Sequence, residues 1–217
     1  MRIDIWSDIV CPWCYIGKRR FEQALARFPH RGEVEIVHRA YQLDPRSPRG
    51  TALPRRAALK AKYGWTDAEA DVMDARMTAT AAAEGLEYHL DDGVTGNTFD
   101  AHQLLQLAKE HGVQDALAER LYRAHFTERR SIFDRESLVQ LAVEAGLDGG
   151  VARQALERDA YAEAVKADVE EARALGANGV PFFVIAGKYG ISGAQAAETF
   201  VGALTRAWDE PPDSRSA

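Results

Sequence analysis

The only two cysteines of this 217-residue chain stand three positions apart, in the segment Cys11-Pro12-Trp13-Cys14. Apolar side chains alternate over residues 3–6 and predict a short strand, whereas the residues after the cysteines repeat at helical spacing. Proline is favoured in the first turn of a helix, because its missing N–H would have no partner there. The sequence therefore predicts a helix that begins with Pro12 and is capped by Cys11.

This helix start predicts different roles for the two thiols. Unpaired N–H groups and the helix dipole stabilise negative charge at an N-terminus, so the thiolate form of Cys11 is favoured. We expect Cys11 to be exposed and Cys14, one helical turn further, to face the protein and be sheltered. Two such thiols, about 5 Å apart on a helix, suit disulfide exchange, in which Cys14 attacks a mixed disulfide formed at Cys11.

Half of a zinc site is the alternative interpretation of the cysteine pair. Tetrahedral zinc needs two further thiolate or imidazole ligands, and a zinc ribbon supplies them from a second CxxC, which this chain lacks. The histidines, which do not have the spacing of zinc fingers, are His30, His38, His89, His102, His111 and His125. The sequence does not decide whether folding brings histidines together beside the cysteines as metal ligands. The order of strand, loop, CxxC and helix favours redox chemistry without a metal.

Composition and charge exclude some classes of function. Hydrophobic residues make up 46% of the chain, which is ample for a packed core. The net charge of −6 provides no basic surface for nucleic acid, and the paired arginines at 19–20, 55–56 and 129–130 are scattered. We therefore expect no nucleic-acid partner.

The location of the protein can also be predicted from the sequence. Residues 1–4 lead directly into the predicted strand, without the charged and apolar regions of a secretion signal. No apolar run approaches the roughly 20 residues that span a bilayer. We expect a cytoplasmic protein without membrane contact, in a reducing compartment where a lone CxxC is more often catalytic than structural.

The remaining pattern predicts strands at both ends of the chain and helices between them. Residues 33–41 alternate as a strand, with His38 on an otherwise apolar face, where it is either a packed residue or a neighbour of the thiols. An apolar run, Val180–Ile185, predicts a buried strand, and Ser192 with Gln195 predicts a capping box for the last helix. The outline is βαβ, helical insertion, ββα, with residues 1–54 and 178–217 in one discontinuous domain and 55–177 in the insertion.

Helices within the insertion follow from apolar spacing and from glycines at their ends. Asn97 or Thr98 can cap the second of them. The predicted helices are 67–84, 97–111, 114–127, 134–145 and 149–175. Residues 210–217, which are polar and contain proline and serine, are expected to form a frayed tail.

This order of elements resembles the thioredoxin superfamily, and in particular its DsbA-like branch with a helical insertion in an α/β fold. The match runs the length of the chain. Four ordered segments are similar to those of the FrnE subfamily of dithiol–disulfide oxidoreductases. They are residues 8–20, 97–102, 179–184 and 193–195.

The resemblance implies roles for individual residues. Cys11 would be the nucleophile, Cys14 the resolving thiol and Pro181 a cis-proline facing them, with Val180 offering its backbone to an extended substrate. From the residues alone, a trans proline at the head of an edge strand is the favoured interpretation of Pro181. Where the family often has proline after its Gly-Ala-Gln segment, this chain has Ala196, which affects the predicted start of the last helix.

Other candidate residues have two interpretations each. Pro12 and Trp13 lie between the cysteines, where Trp13 either tunes the exposure of the thiols or covers the helix start. Asn97 and His102 either border the active-site groove or act as a capping residue and a packed residue within the insertion.

Together these patterns predict an enzyme that exchanges disulfides with protein or small-molecule partners. No bound cofactor is expected, and glutathione or another thiol could act as the electron partner. Two other functions stay open. Kappa-class glutathione transferases and 2-hydroxychromene-2-carboxylate isomerases resemble this chain in fold but typically carry serine where Cys11 stands. A binding or chaperone module would use the CxxC only as a redox sensor.

Overall fold

The alternating residues near the N-terminus form a central strand of a four-stranded sheet in the computed structural model, which describes residues 1–210. Strand β1 (Arg2–Ser7) is parallel to β2 (Glu35–Ala40) and antiparallel to β5 (Phe182–Ile185). Strand β6 (Tyr189–Ser192) pairs with the other edge of β5. The order β2-β1-β5-β6 confirms the predicted βαβ and ββα units. The predicted tail beyond Glu210 lies outside the described residues.

Helices surround this sheet and fill the chain between β2 and β5. Nine are found in the described part of the chain, and α2 to α8 follow one another between those two strands. The helices are α1 (Pro12–Arg27), α2 (Arg55–Tyr63), α3 (Asp67–Ala83), α4 (Phe99–Glu110), α5 (Gln114–Phe126), α6 (Arg135–Glu144), α7 (Gly149–Glu157), α8 (Ala162–Ala174) and α9 (Ala197–Asp209). Over residues 1–210, none of them combines the length and the apolar character needed to cross a bilayer.

Helix α1 packs into two hydrophobic cores. Cys14, Tyr15 and Ile16, near its start, belong to a core made mainly by the helical insertion. Phe21 and Ala24, further along the helix, belong to a core formed with the sheet and α9. Each fully buried large apolar side chain stabilises the fold by about 1.5–3 kcal/mol. Packing into both cores therefore holds α1, and with it the cysteine pair, between the sheet and the insertion.

Two short segments form a sheet that the sequence analysis did not predict. Strand β3 (Ala52–Pro54) pairs antiparallel with β4 (Val94–Gly96), so a two-stranded ribbon joins the segment before α2 to the segment before α4. Three residues are too few to show the alternation that marks a strand. The proposed domain boundaries at 54 and 178 stay a prediction.

The helix predicted over 149–175 is wrong as a single element. Helix α7 ends at Glu157 and α8 begins at Ala162, because Asp159 adopts a left-handed backbone with φ of 48°. Arg49 and Gln103 donate hydrogen bonds to the Asp159 carboxylate and hold this turn. The Arg49 bond is the main cause of an Asp159 pKa lowered to about 2.

The predicted capping box of the last helix is also wrong. Ser192 ends β6, where it pairs with Phe182. Gln195 donates a side-chain hydrogen bond of 2.9 Å back to the Ser192 carbonyl instead of capping a helix. Helix α9 begins only at Ala197, and Ala196 precedes it without a side-chain cap. The departure from the family pattern at Ala196 therefore coincides with an uncapped helix start.

Strands β2 and β5 are shorter than predicted. Residues 31–33 form a single 3₁₀ turn, so β2 begins at Glu35. Strand β5 begins at Phe182, directly after the Val180–Pro181 bond. These changes leave Pro181 outside the ladder, where its missing N–H breaks no strand hydrogen bond.

Candidate active site

The CPWC segment forms the start of α1, as predicted. Cys11 is the residue before the helix and has an extended backbone, with φ of −87°, and Pro12 is the first helical residue. The Cys11 N–H donates to the Asp8 carbonyl at 3.0 Å, and the Cys14 N–H donates to the Cys11 carbonyl at 3.0 Å. Both cysteines are free thiols. This turn therefore presents Cys11 at the helix N-terminus and places Cys14 one turn behind it.

Burial of the two cysteines differs less than predicted. Cys14 is 1% exposed, as expected for a sheltered thiol, but Cys11 is only 5% exposed. Cys11 is covered because the chain before β5 folds over it: its Sγ lies 3.6 Å from the Val180 carbonyl oxygen. The expectation of an openly exposed first thiol is therefore wrong, and access to Cys11 is through the cavity that it lines.

The environment of Cys14 opposes its ionisation. Burial is the largest cause of a Cys14 pKa raised well above its ordinary value, and the hydrogen bond to Cys11 adds to the effect. The charge of Asp8 raises this pKa further, while a backbone hydrogen bond from Asp8 lowers it. Cys14 is therefore held as a neutral thiol at neutral pH.

The Val180–Pro181 bond is cis, which confirms the geometry that the sequence analysis expected. The Val180 carbonyl faces Cys11, and the Pro181 ring lies against α1 at Gly17. A Cβ added at Gly17 would come within 2.8 Å of Pro181 Cγ. Gly17 therefore allows the close approach between α1 and the segment that faces the cysteines.

Replacing Gly17 with alanine is expected to disturb this contact. The added methyl group meets a stiff proline ring, so we expect a loss of about 1–3 kcal/mol in the free energy of unfolding. Gly202→Ala is the matched control, because Gly202 lies in α9 with nothing within 4 Å of its added Cβ. This control should gain about 0.5–1 kcal/mol from helix propensity. Equal stabilities of the two variants in urea unfolding would contradict the account.

A cavity of about 910 Å³ opens beside Cys11. Trp13 and Val180 line it next to the thiol, and residues of helices α2 and α3 line it as well. Two cations that line the cavity, Arg46 and Lys62, have no carboxylate partner among the described residues. Trp13 is thus part of the cavity wall.

Tyr88 is a residue of the site that sequence reasoning missed. Its hydroxyl donates a 2.8 Å hydrogen bond to the carbonyl of Pro12, in the first turn of α1. Burial raises the pKa of Tyr88, so the hydroxyl stays neutral and remains a donor. Its ring stacks on Phe126 at 4.6 Å between centroids, within the insertion core. No local signal links Tyr88 to the cysteines, because 76 residues separate it from Pro12.

The candidate groove residues Asn97 and His102 do not line the cavity. Asn97 Oδ1 accepts from the Phe99 N–H at 2.9 Å, and its Nδ2 donates to the Ser47 carbonyl at 2.7 Å. Asn97 is therefore a capping residue that also fixes the loop before β3. His102 is buried in α4, where its Nε2 lies 3.5 Å from Asp8 Oδ1.

His38 is a packed residue, the first of the two interpretations given above. Its Nε2 lies 2.8 Å from Asp115 Oδ1 at the start of α5, and Gln114 bonds to its backbone. The hydrogen bond to His38 and the charge of Lys18 hold the pKa of Asp115 well below its usual range. Within residues 1–210, no group of three or more His, Cys, Asp or Glu side chains is placed to hold a metal ion.

A CxxC pair at the head of the first helix, opposite a cis-proline before an antiparallel strand, defines a thioredoxin-fold protein. The model of the DSBA-like thioredoxin domain family matches residues 2–205. The chain therefore belongs to that family.

Individual relatives agree with this assignment. The chain is 53% identical to a probable DsbA oxidoreductase from Streptomyces coelicolor, whose crystal structure matches with a TM-score of 0.92 over 97% of this chain and 91% of that one. It is 30% identical to the uncharacterized protein YwbO of Bacillus subtilis over 94% of this chain and 96% of that protein. The cytosolic disulfide reductase DsbM of Pseudomonas aeruginosa, solved with GSH, shares the fold at 18% identity and a TM-score of 0.64, over 95% of each chain.

Proposed function

We propose that this protein is a dithiol–disulfide oxidoreductase or isomerase that uses Cys11 and Cys14 as its redox pair. One observation carries the proposal: Cys11 lies at a helix N-terminus, on a cavity, with the buried thiol of Cys14 one turn behind it. A helix start favours the anionic form of a thiol, and the thiolate is the nucleophile in disulfide exchange. The FrnE subfamily is the finer assignment within this proposal.

The exchange has two steps. In the first, the Cys11 thiolate attacks one sulfur of a substrate disulfide, the substrate S–S bond breaks, and one substrate thiolate leaves. In the second, Cys14 gives up its proton and attacks Cys11 Sγ, so the second substrate thiolate leaves and takes up a proton. The protein is oxidised by two electrons to the Cys11–Cys14 disulfide, and the substrate is reduced to two thiols. The reverse sequence oxidises a dithiol.

Substrate backbone would be held beside Cys11 by the chain around the cis-proline. The Val180 carbonyl points at Cys11 Sγ, where it can accept from the N–H of an extended segment that carries the reacting cysteine. Trp13 supplies an apolar wall next to this position. Protein disulfides and small disulfides are both compatible with a cavity of this size.

The electron partner is proposed to be glutathione or another small thiol, in the cytoplasm, without a bound cofactor. Arg46 and Lys62 on the cavity wall would attract the carboxylates of such a molecule, although the net charge of the chain is −6. DsbM, which shares only the fold, was solved with GSH.

A different function, that of a 2-hydroxychromene-2-carboxylate isomerase, is supported by the fold alone. A 2-hydroxychromene-2-carboxylate isomerase matches with a TM-score of 0.68 at 17% identity. Such enzymes typically carry serine at the position of Cys11, and that substitution removes the thiolate on which exchange depends.

Catalysed exchange tests the proposal directly. The protein should accelerate the reduction of a disulfide-linked fluorescent peptide by glutathione. One equivalent of iodoacetamide should abolish this activity, with the label mapped to Cys11 by mass spectrometry because Cys14 is held as a neutral thiol. No acceleration by the folded protein, or full activity after Cys11 is alkylated, would refute the assignment.

A further inference from the structure

Two buried polar side chains behind the CPWC turn take no part in the proposed exchange. Asp8 and His102 are each 1% exposed, and Asp8 Oδ1 lies 3.5 Å from His102 Nε2. Neither of these atoms, nor His102 Nδ1, has a hydrogen-bond partner within residues 1–210. An unsatisfied buried polar group costs about 1–3 kcal/mol, so such groups are rare in folded proteins. A pair of them beside a redox centre therefore suggests a role in its chemistry.

Asp8 connects this pair to both cysteines. Its carbonyl accepts from the Cys11 N–H, and its backbone hydrogen-bonds to Cys14. Its Oδ2 accepts from the Leu43 N–H at 2.7 Å, which leaves Oδ1 directed toward His102. The carboxylate is therefore fixed in place close to Cys14 and has one free oxygen.

Asp8 provides the charge that opposes the ionisation of Cys14, because the phenols and the imidazole around this thiol are neutral. Burial raises the pKa of Tyr88 and of Tyr122, so both phenols stay neutral. Burial also lowers the pKa of His125, to about 4, so this imidazole is neutral when thiols titrate. Cys11 is the remaining neighbour, and its sulfur is consumed in the mixed disulfide when Cys14 attacks.

We propose that His102 is a positioning residue that acts on Cys14 through Asp8. In the resolving step, His102 Nε2, 3.5 Å from Asp8 Oδ1, would donate to that oxygen, offset the carboxylate charge and so ease the loss of the Cys14 proton. This inference rests on the proposed function. Its physical basis is that a nearby negative charge disfavours a thiolate, and that a donor on the carboxylate weakens this effect.

The consequence is that substitutions at the two residues act in opposite directions. The test uses the Cys11→Ser variant, in which Cys14 is the only thiol, and follows ultraviolet thiolate absorbance against pH. Asp8→Asn should move the Cys14 midpoint to lower pH by about one unit, because the charge is lost while an acceptor for Leu43 is kept. His102→Leu should move it to higher pH. The double variant should match Asp8→Asn, because without the carboxylate His102 has nothing to offset.

Tyr122→Phe is the matched control, since it removes another unpartnered buried polar atom from the same region without removing charge. It should leave the Cys14 midpoint unchanged. Near-ultraviolet circular dichroism checks that each variant is folded. If His102→Leu does not fold, His102→Asn replaces it, because its shorter amide keeps polarity without reaching Asp8.

Several outcomes would overturn the inference. Shifts of the same sign in both single variants, or shifts that add in the double variant, would mean that the residues act independently. In Asp8→Asn, a Cys14 midpoint that is unchanged or higher would by itself refute the inference, whatever the histidine variants show. The titration requires no turnover, so failure of this coupling and failure of the exchange assay are separate results.

Discussion

Cys14→Ser is expected to accumulate as a stable mixed disulfide through Cys11, with protein or small-thiol partners from a cell extract. The reason is that Cys14 is the one thiol placed one helical turn behind Cys11, and the substitution removes the resolving attack while leaving nucleophilic attack intact. The measurement is a non-reducing gel, with the adducts released by a reductant. Nearly all of the variant should shift when disulfide substrate is in excess.

Cys11→Ser is the control for this experiment and should capture nothing, because Cys14 is buried and held as a thiol. A kappa-type enzyme would keep glutathione-dependent transferase or isomerase turnover in Cys11→Ser. A passive binding module would keep its partners in both variants without a covalent link. Trapping by both single variants, or by neither, would contradict the assigned roles of the two cysteines.

Phe183→Ala is expected to have the largest effect on stability. Phe183 lies in β5 at 0% exposure, between Phe21 of α1 at 5.6 Å and Phe200 of α9 at 4.6 Å between ring centroids. Truncating a phenylalanine in such a site removes its burial and leaves a cavity that the sheet and two helices cannot fill. We expect a loss of about 3–5 kcal/mol in the free energy of unfolding, measured by urea denaturation.

Val72→Ala serves as the control for this loss. Val72 lies in α3 and is 66% exposed, so its truncation should change stability by no more than about 0.5 kcal/mol. If Phe183→Ala costs less than about 1 kcal/mol with an unchanged denaturant slope, the shared core of α1, β5 and α9 does not carry the stability assigned to it.

The parts of this structure that the sequence predicted depend on local chemistry. Proline after Cys11 fixes the first turn of α1, and the spacing of the cysteines places Cys14 one turn behind. Apolar alternation identifies β1, and the apolar run before Ile185 identifies β5. The cis bond at Pro181 was expected from the family resemblance, because residues alone allowed a trans edge proline as well.

The remaining features depend on contacts between distant parts of the chain. The bond from Tyr88 to the Pro12 carbonyl and the pair formed by Asp8 and His102 join segments that have no common pattern in sequence. The break at Asp159 is held by partners from elsewhere in the chain, including Arg49. The local pattern at Ser192 predicts a helix cap, because its role in the β6 ladder depends on pairing with β5 and leaves no local signal.

The covering of Cys11 is the clearest example of such a contact. A helix N-cap position predicts the orientation of the thiol but not what packs above it. Here the carbonyl of Val180, 169 residues further along the chain, closes over the sulfur. Reactivity of Cys11 therefore depends on the cavity beside it as well as on the helix start.

The central claim is that Cys11 and Cys14 form one two-electron redox couple, and equilibration with glutathione buffers tests it most directly. After acid quenching and alkylation, intact mass should show a single transition between the dithiol and an internal Cys11–Cys14 disulfide. The ratio of the two forms should change tenfold for about 30 mV of buffer potential. A folded protein that shows two separately glutathionylated cysteines, or no internal disulfide at any potential, would contradict the claim.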